Sequence, residues 1–215
     1  QAPETSSVAH ITGTMKKSNG SLDFSSPNFS GGLGFRSSDG IMTDVDLNDN
    51  GAYDVMLLPG EYEISGYYSL RDHSSSPNIY TQYNFYQNDI ISSDQIFDIV
   101  FPVTTLNGKI TDASGNNLQN ISINLEHEWG YYGIGNNDKL EYYSNVLTDS
   151  QGVFSIDVSP SPDNWNFNLE NNNQNNNSYQ TEIRVTPPEN SKYFEQGITN
   201  INPNNTLNIV LDSFE

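Results

Sequence analysis

The chain has 215 residues, with 8 Lys and Arg against 27 Asp and Glu, and its formal net charge is −19. A surface of this charge repels nucleic-acid phosphates and anionic membranes, which argues against both as main partners. Because there is no cysteine, disulfides, thiolate metal sites and cysteine nucleophiles are excluded. No apolar run reaches the ~20 residues of a membrane-spanning helix, and no signal peptide is present. Since the chain starts at Gln1, we expect a processed or trimmed piece.

The first half of the chain has the pattern of β-strands. An opening strand begins at Ile11 after a predicted tail over residues 1–8. Residues 41–47 alternate, with Ile41 and Val45 on one predicted core face and Asp44 on the other face. A closing strand is predicted over residues 97–101. These strands predict one β-sandwich over residues 9–101.

The second half repeats this order about 100 residues later, which is the size of one small sandwich. Its opening strand covers residues 106–112, an acidic turn lies near residue 150, and its closing strand covers residues 207–211. Pro102 cannot donate to a sheet ladder, so we predict the domain boundary between Phe101 and Pro102. A second sandwich is therefore expected over residues 102–215, with inserted segments near 126–146 and 162–179.

The repeat resembles the carboxypeptidase regulatory-like domain, a transthyretin-like sandwich related to collagen-adhesin B-type domains. The residues that carry the resemblance are 106–115 and 147–156 in the second half, and 49–55 and 58–64 in the first half. The resemblance implies two tandem immunoglobulin-like or transthyretin-like antiparallel β-sandwiches, an all-β fold. It also implies a spacer or accessory module of a secreted or surface protein, mostly bacterial.

No catalytic residues are predicted. The three histidines, His10, His73 and His127, are scattered along the chain. The pair His127-Glu128 is not followed by the second histidine that a zinc-protease helix requires, and no glycine-flanked nucleophilic serine or glycine-rich phosphate loop occurs. We therefore expect a protein without enzyme activity.

One acidic turn matches the first half of a calcium-binding loop. Residues 46–51 read Asp-Leu-Asn-Asp-Asn-Gly, and oxygens at alternate positions can converge on a hard cation. The bidentate Glu expected at the twelfth position is replaced by Leu57. A hydrated Asn/Gly turn between two strands uses the same residue types and remains the alternative. The candidate ligands are Asp44, Asp46, Asn48, Asn50 and Asp54.

Aromatic residues are concentrated in the inserted segment 126–146. They are Trp129, Tyr131, Tyr132, Tyr142 and Tyr143. Exposed rings of this kind can stack on the apolar faces of sugars, and nearby polar groups can bond the hydroxyls. The alternative is a long hairpin whose rings cover its own sandwich, where cross-strand aromatic pairs are common.

The function expected from the sequence is a non-catalytic structural or adhesive module of an exported bacterial protein. Such a module positions a neighbouring domain or binds a surface partner, either a protein or a glycan, and is located at the cell surface or outside the cell. The alternative function is carbohydrate binding through the aromatic insertion. The sequence does not specify an oligomeric state.

Overall fold

The computed structural model describes residues 8–74, 78–129, 139–158, 183–198, 201 and 205–214. Every regular element in these residues is a β-strand, so the fold is all-β as predicted. No helix that could span a membrane occurs in this part of the chain. The chain divides into two compact units. Among the described residues, the first unit contains 8–70, 82–101 and 139–141, and the second contains 71–74, 78–81 and the rest. The boundaries predicted for separate domains, 9–101 and 102–215, remain predictions.

The first unit is built from eight strands in two sheets. The strands are β1 (Ala9–Lys17), β2 (Phe29–Ser37), β3 (Met42–Val45), β4 (Ala52–Leu57), β5 (Gly60–Asp72), β6 (Ile79–Ile91), β7 (Gln95–Ile96) and β8 (Ile99–Phe101). In one sheet β1 lies between β4 on one side and β7 and β8 on the other. In the other sheet the order is β6-β5-β2-β3.

The core of the first unit is largely aromatic. Phe24, Tyr68, Tyr83 and Phe101 form a continuous series of ring contacts, with neighbouring centroids 5.2–6.0 Å apart. These four rings are all buried. Tilted and edge-to-face contacts of this kind add to the stability gained from area burial.

The second unit has the same two-sheet plan with a mainly aliphatic core. Its strands are β9 (Thr104–Asp112), β10 (Ser122–Trp129), β11 (Lys139–Leu147), β12 (Val153–Val158), β13 (Ile183–Thr186), β14 (Gln196–Ile198) and β15 (Leu207–Leu211). The sheet orders are β12-β9-β15 and β14-β13-β10-β11. Ile123, Ile156, Val185 and Ile209 are members of its buried cluster. Along residues 121–125 the side chains of Ile121, Ile123 and Leu125 are all buried and contribute to this core.

One turn is repeated in both units. In the first unit Gly51 N–H donates to the Asn48 carbonyl oxygen, and the Asn48 side-chain oxygen accepts the N–H groups of Asn50 and Ala52. In the second unit Asp149 makes the corresponding three bonds, with Gly152, Gln151 and Val153. The glycines have φ values of +74° and +72°, a region that favours glycine. The acidic turns recognised in the sequence are therefore structurally equivalent.

Candidate functional site

The strands that open and close the first unit lie side by side and run parallel. Met15, Lys16 and Lys17 of β1 pair with Ile99, Val100 and Phe101 of β8. The chain therefore enters the unit at the Ala9 end of β1 and leaves it beside the Lys17 end. Eight residue steps of about 3.3 Å separate these ends by about 26 Å.

A carboxylate fastens β1 to the segment that leads into β8. Asp98 Oδ1 accepts hydrogen bonds from the backbone N–H and the hydroxyl of Thr14, both at 2.9 Å. Lys16 Nζ donates to Asp98 Oδ2 at 2.9 Å. The bonds from Lys16 and Thr14 hold the pKa of Asp98 below its ordinary value. Three bonds from two residues of one strand thus converge on a single side chain.

A tyrosine adds a further bond at the same place. The Tyr53 hydroxyl, on β4, donates to the carbonyl oxygen of Phe97. Burial raises the pKa of Tyr53, and the negative charge of Asp98 raises it further. The hydroxyl is therefore neutral and acts as a donor throughout the neutral pH range. This bond joins β4, which pairs with the other side of β1, to the segment that leads into β8.

The second unit repeats the parallel pairing of its first and last strands. Residues 207–211 of β15 pair with residues 108–112 of β9 over five positions. The pairing places Leu211 beside Asp112, at the end of β9 that is distant from Thr104. Chain entry and exit again lie at opposite ends of the opening strand.

An open trough crosses the sheet surface of the first unit. Gly32 and Gly34 of β2 line its floor, and its sides include Met42 and Asp44 of β3 and Tyr67 of β5. Its volume is about 490 Å³, within the range of small-ligand sites, about 300–1,000 Å³. We call this feature the glycine trough. Sequence reasoning missed it, although three glycines within residues 31–34 of one strand were a usable signal.

The predicted aromatic site is only partly within the described structure. Tyr131 and Tyr132 lie outside the described residues, as does the side chain of Trp129, whose backbone ends β10. Tyr142 is 1% exposed and its hydroxyl donates to the Pro102 carbonyl oxygen at 2.8 Å. Tyr143 is half-buried. The role of these residues in sugar binding remains a prediction, and Tyr142 contributes to the interior of the second unit.

The predicted calcium ligands lie in three different settings. Asp44 and Asp46 line the glycine trough, and Asn48 and Asn50 belong to the repeated turn. Asp54 Oδ2 lies 2.8 Å from His10 Nε2 in the other sheet. Among the described residues, no group of three His, Asp or Glu side chains could hold a metal ion. Calcium binding and a metal-free turn therefore both remain predictions for these residues.

Comparison with known proteins gives similarity at the level of solved structures. No protein-family model matches the sequence, and no curated protein sequence is similar to it. The resemblance to the carboxypeptidase regulatory-like domain therefore remains a prediction. A single-residue variant of the shaft pilin SpaA from Lactobacillus rhamnosus GG aligns over 97% of this chain and 99% of its own, with 9% identity and a TM-score of 0.42.

Two further structures align over most of this chain. A streptococcal ancillary pilin covers 98% of this chain and 63% of its own, with 10% identity and a TM-score of 0.33. The Bacillus anthracis TIE protein covers 95% of this chain and 33% of its own, with 12% identity and a TM-score of 0.30.

Proposed function

We propose that the chain is a non-catalytic structural module that carries tension within an exported bacterial surface protein. In this role it positions a neighbouring domain or a surface partner away from the point of attachment. The observation that carries the proposal is the parallel pairing of the first and last strands in both units.

Parallel terminal strands resist pulling because of the direction in which their hydrogen bonds are loaded. Tension on the first unit pulls β1 toward Ala9 and β8 beyond Phe101, which are opposite directions along one strand pair. The bonds between the strands are then sheared together and cannot open one at a time. Forced unfolding is governed by the unfolding rate, so a strand pair that must break as a unit lengthens the life of the fold under load.

The side chains around Asp98 reinforce the loaded pair. The three bonds from Thr14 and Lys16 cross from β1 to the segment before β8, and the Tyr53 hydroxyl holds Phe97 in that segment. All four must break before β8 can slide along β1. Hydrogen bonds to a charged carboxylate are stronger than bonds between neutral groups.

Composition supports a location outside the cell. The net charge of −19 favours solubility, and a fold without cysteine is indifferent to the redox state of its compartment. These properties support the extracellular part of the proposal independently of the strand geometry.

Single-molecule force spectroscopy tests the proposal on the full chain. Because the chain lacks cysteine, single handles can be attached through introduced cysteines. Handles at the two termini shear β15 along β9. Handles at Ser114→Cys and the C-terminus pull from the side where β9 and β15 both end, and therefore peel the same pair apart. Ser114 is exposed, so the substitution leaves the core unchanged.

We expect the second unit to unfold at a several-fold higher force between the termini than from Ser114→Cys at the same loading rate. The contour length released, at most about 3.6 Å per residue, identifies the unit that has opened. Equal forces in the two geometries would overturn the proposal. A melting temperature unchanged by the substitution is the control for intact folding.

A further inference from the structure

We propose that the glycine trough of the first unit binds a neutral carbohydrate chain. This site is distinct from the aromatic insertion of the second unit, and it adds a binding activity to the structural role. The shape of the trough, the rings at its side and its charge all suit a neutral sugar.

The shape of the trough depends on missing side chains. A Cβ atom at Gly34 would lie 2.5 Å from Met42 Cε, and one at Gly32 would lie 3.4 Å from Tyr67 Cε1. Met42 Cε therefore covers Gly34, which is buried, while a side chain at the partly exposed Gly32 would project into the open space beside the Tyr67 ring. Glycine weakens a strand interior and frequently marks a place where a ligand approaches the backbone. The missing side chain of Gly32 therefore leaves a depression on this face of β2, bordered by the Tyr67 ring and by Met42 over Gly34.

Two tyrosine rings border this depression and remain open to solvent. Tyr67 is 42% exposed and Tyr86 is 39% exposed, although both line a concave surface. The Tyr67 hydroxyl lies 3.4 Å from Ser30 Oγ, which helps to fix the direction of the ring. Rings with an apolar face and a polar edge are suited to a sugar, whose ring presents an apolar face and a rim of hydroxyls.

The charge of the trough selects among sugars. Asp44 and Asp46 line it, and none of its lining residues is Lys, Arg or His. Within the described residues, neither carboxylate has a hydrogen-bond or ion-pair partner. Free carboxylates accept strong hydrogen bonds from hydroxyl groups and repel the carboxylates or sulfates of acidic glycans. The trough therefore favours a neutral carbohydrate.

A peptide strand fits the trough less well. Gly34 of β2 pairs with Asp44 on one side and with Ser65 on the other, so the floor lies inside a sheet. Its backbone groups are engaged in the two ladders, and an added strand needs an unpaired sheet edge. Recognition must come from side chains, which is how rings and carboxylates hold sugars.

A second groove in the same unit lacks these features. It has a volume of about 620 Å³, and Arg36 lies in it together with Glu61, Glu63 and Asp89. Its one aromatic residue, Tyr62, is buried and donates its hydroxyl to the Leu58 carbonyl oxygen. Ring stacking is therefore unavailable there, and the proposal is restricted to the glycine trough.

The test is an NMR titration of the full ¹⁵N-labelled chain. The neutral probes are cellohexaose, xylohexaose, mannohexaose and chitohexaose, and the contrasting probes are hexagalacturonate and hexalysine. We expect saturable shifts of the Gly32 and Gly34 amides with at least one neutral probe. Absence of such shifts with all four neutral probes would overturn the proposal, as would equal binding of hexagalacturonate or binding of hexalysine alone.

Variants separate the trough from the rest of the surface. Gly32→Thr fills the floor with a residue that strands accommodate well, and Tyr67→Ala removes one ring. Each should weaken binding roughly tenfold or more, as loss of a central contact does. Phe194→Ala removes an exposed ring of the second unit and should leave the affinity unchanged. If Gly32→Thr fails to fold, Tyr86→Ala takes its place, and unchanged affinity in the folded trough variants would overturn the proposal.

Discussion

Lys16 Nζ lies 2.9 Å from Asp98 Oδ2, so an ion pair joins the opening strand of the first unit to the residue that precedes its closing strand. The same carboxylate accepts two bonds from Thr14. The stability of the strand pair is consequently linked to the ionisation of Asp98.

The first prediction concerns pH. Because Lys16 and Thr14 lower the pKa of Asp98 in the folded state, its contribution is present above the unfolded value of about 3.9 and is lost as pH falls through the folded pKa. Asp98→Asn keeps an acceptor oxygen for Thr14 and removes the charge. We expect the wild type to be more stable than this variant at pH 6, with the difference shrinking below about pH 4. Chemical unfolding across this pH range measures it.

Carboxylates in general titrate over the same pH range. The quantity to compare is therefore the difference in the free energy of unfolding between the wild type and Asp98→Asn. A difference that stays constant from pH 6 to pH 2.5 would contradict a role for the charge of Asp98. The same difference at high salt should be smaller, since the ion pair is solvent-accessible.

The second prediction concerns a glycine that the structure repeats. A Cβ atom at Gly13 would lie 2.0 Å from the Phe97 carbonyl oxygen, and one at Gly108 would lie 2.7 Å from the Leu207 carbonyl oxygen. The Phe97 oxygen is a backbone atom, so relief at Gly13 requires the closing segment to move. At Gly108 the Phe154 ring, with Cζ 2.2 Å from the added Cβ, would have to move as well as the Leu207 backbone. We expect Gly13→Ala and Gly108→Ala each to lower the free energy of unfolding by about 1–3 kcal/mol.

Gly20→Ala is the matched control, because no atom lies within 4 Å of the Cβ it would add. Thermal and urea unfolding of the three variants should rank Gly20→Ala at or above the wild type and the other two below it. Wild-type stability in Gly13→Ala would show that the closing segment is not held against β1 as the structure has it.

Sequence patterns predicted which residues face inward better than they predicted which strands are neighbours. In the predicted alternation of residues 41–47 Val45 is buried as expected, but Ile41 is 64% exposed. Ile41 precedes β3 and lies at its turn, where alternation no longer reports a sheet face. The parallel pairing of β1 with β8 joins residues more than eighty positions apart, and local periodicity contains no information about it.

The candidate site shows the same limit. The sequence drew attention to acids and aromatic clusters, while the trough depends on glycines of β2 lying beside a tyrosine of β5. Glycines do not change the hydrophobic pattern of a strand. Whether they border a binding site depends on the side chains of the neighbouring strands, which the local sequence does not give. Tyr67 shares its face of β5 with the exposed Glu61 and Glu63, so alternation predicts an outward ring, but alternation does not show that this ring lies beside Gly32.

The third prediction concerns a buried polar side chain of the second unit. Asn145 is 5% exposed, its Nδ2 donates to the Asn78 carbonyl oxygen at 2.8 Å, and its Oδ1 accepts from the Ser122 hydroxyl at 2.7 Å. Asn145→Ala leaves the buried Ser122 hydroxyl without its partner and removes the bond to the Asn78 carbonyl oxygen. We expect a loss of about 1–3 kcal/mol in the free energy of unfolding, measured by urea denaturation.

The control for Asn145 is Asn107→Ala, an exposed asparagine on β9. This substitution should change stability by no more than about 0.5 kcal/mol. Equal losses in the free energy of unfolding for the two substitutions would show that the hydrogen bonds of Asn145 do not stabilise the fold.

The fourth prediction concerns calcium and the turn that follows β3. Asn48 Oδ1 already accepts two backbone N–H groups, and the second unit forms the same turn with Asp149 and without the other acidic positions of the loop. Turn formation therefore accounts for Asn48 without a metal ion. We expect millimolar calcium to leave the melting temperature unchanged relative to a chelator, as measured by calorimetry. A calcium-dependent rise that disappears in Asp46→Asn would contradict this expectation and would instead establish the loop as a binding site, because a ligand that binds only the folded state raises its stability.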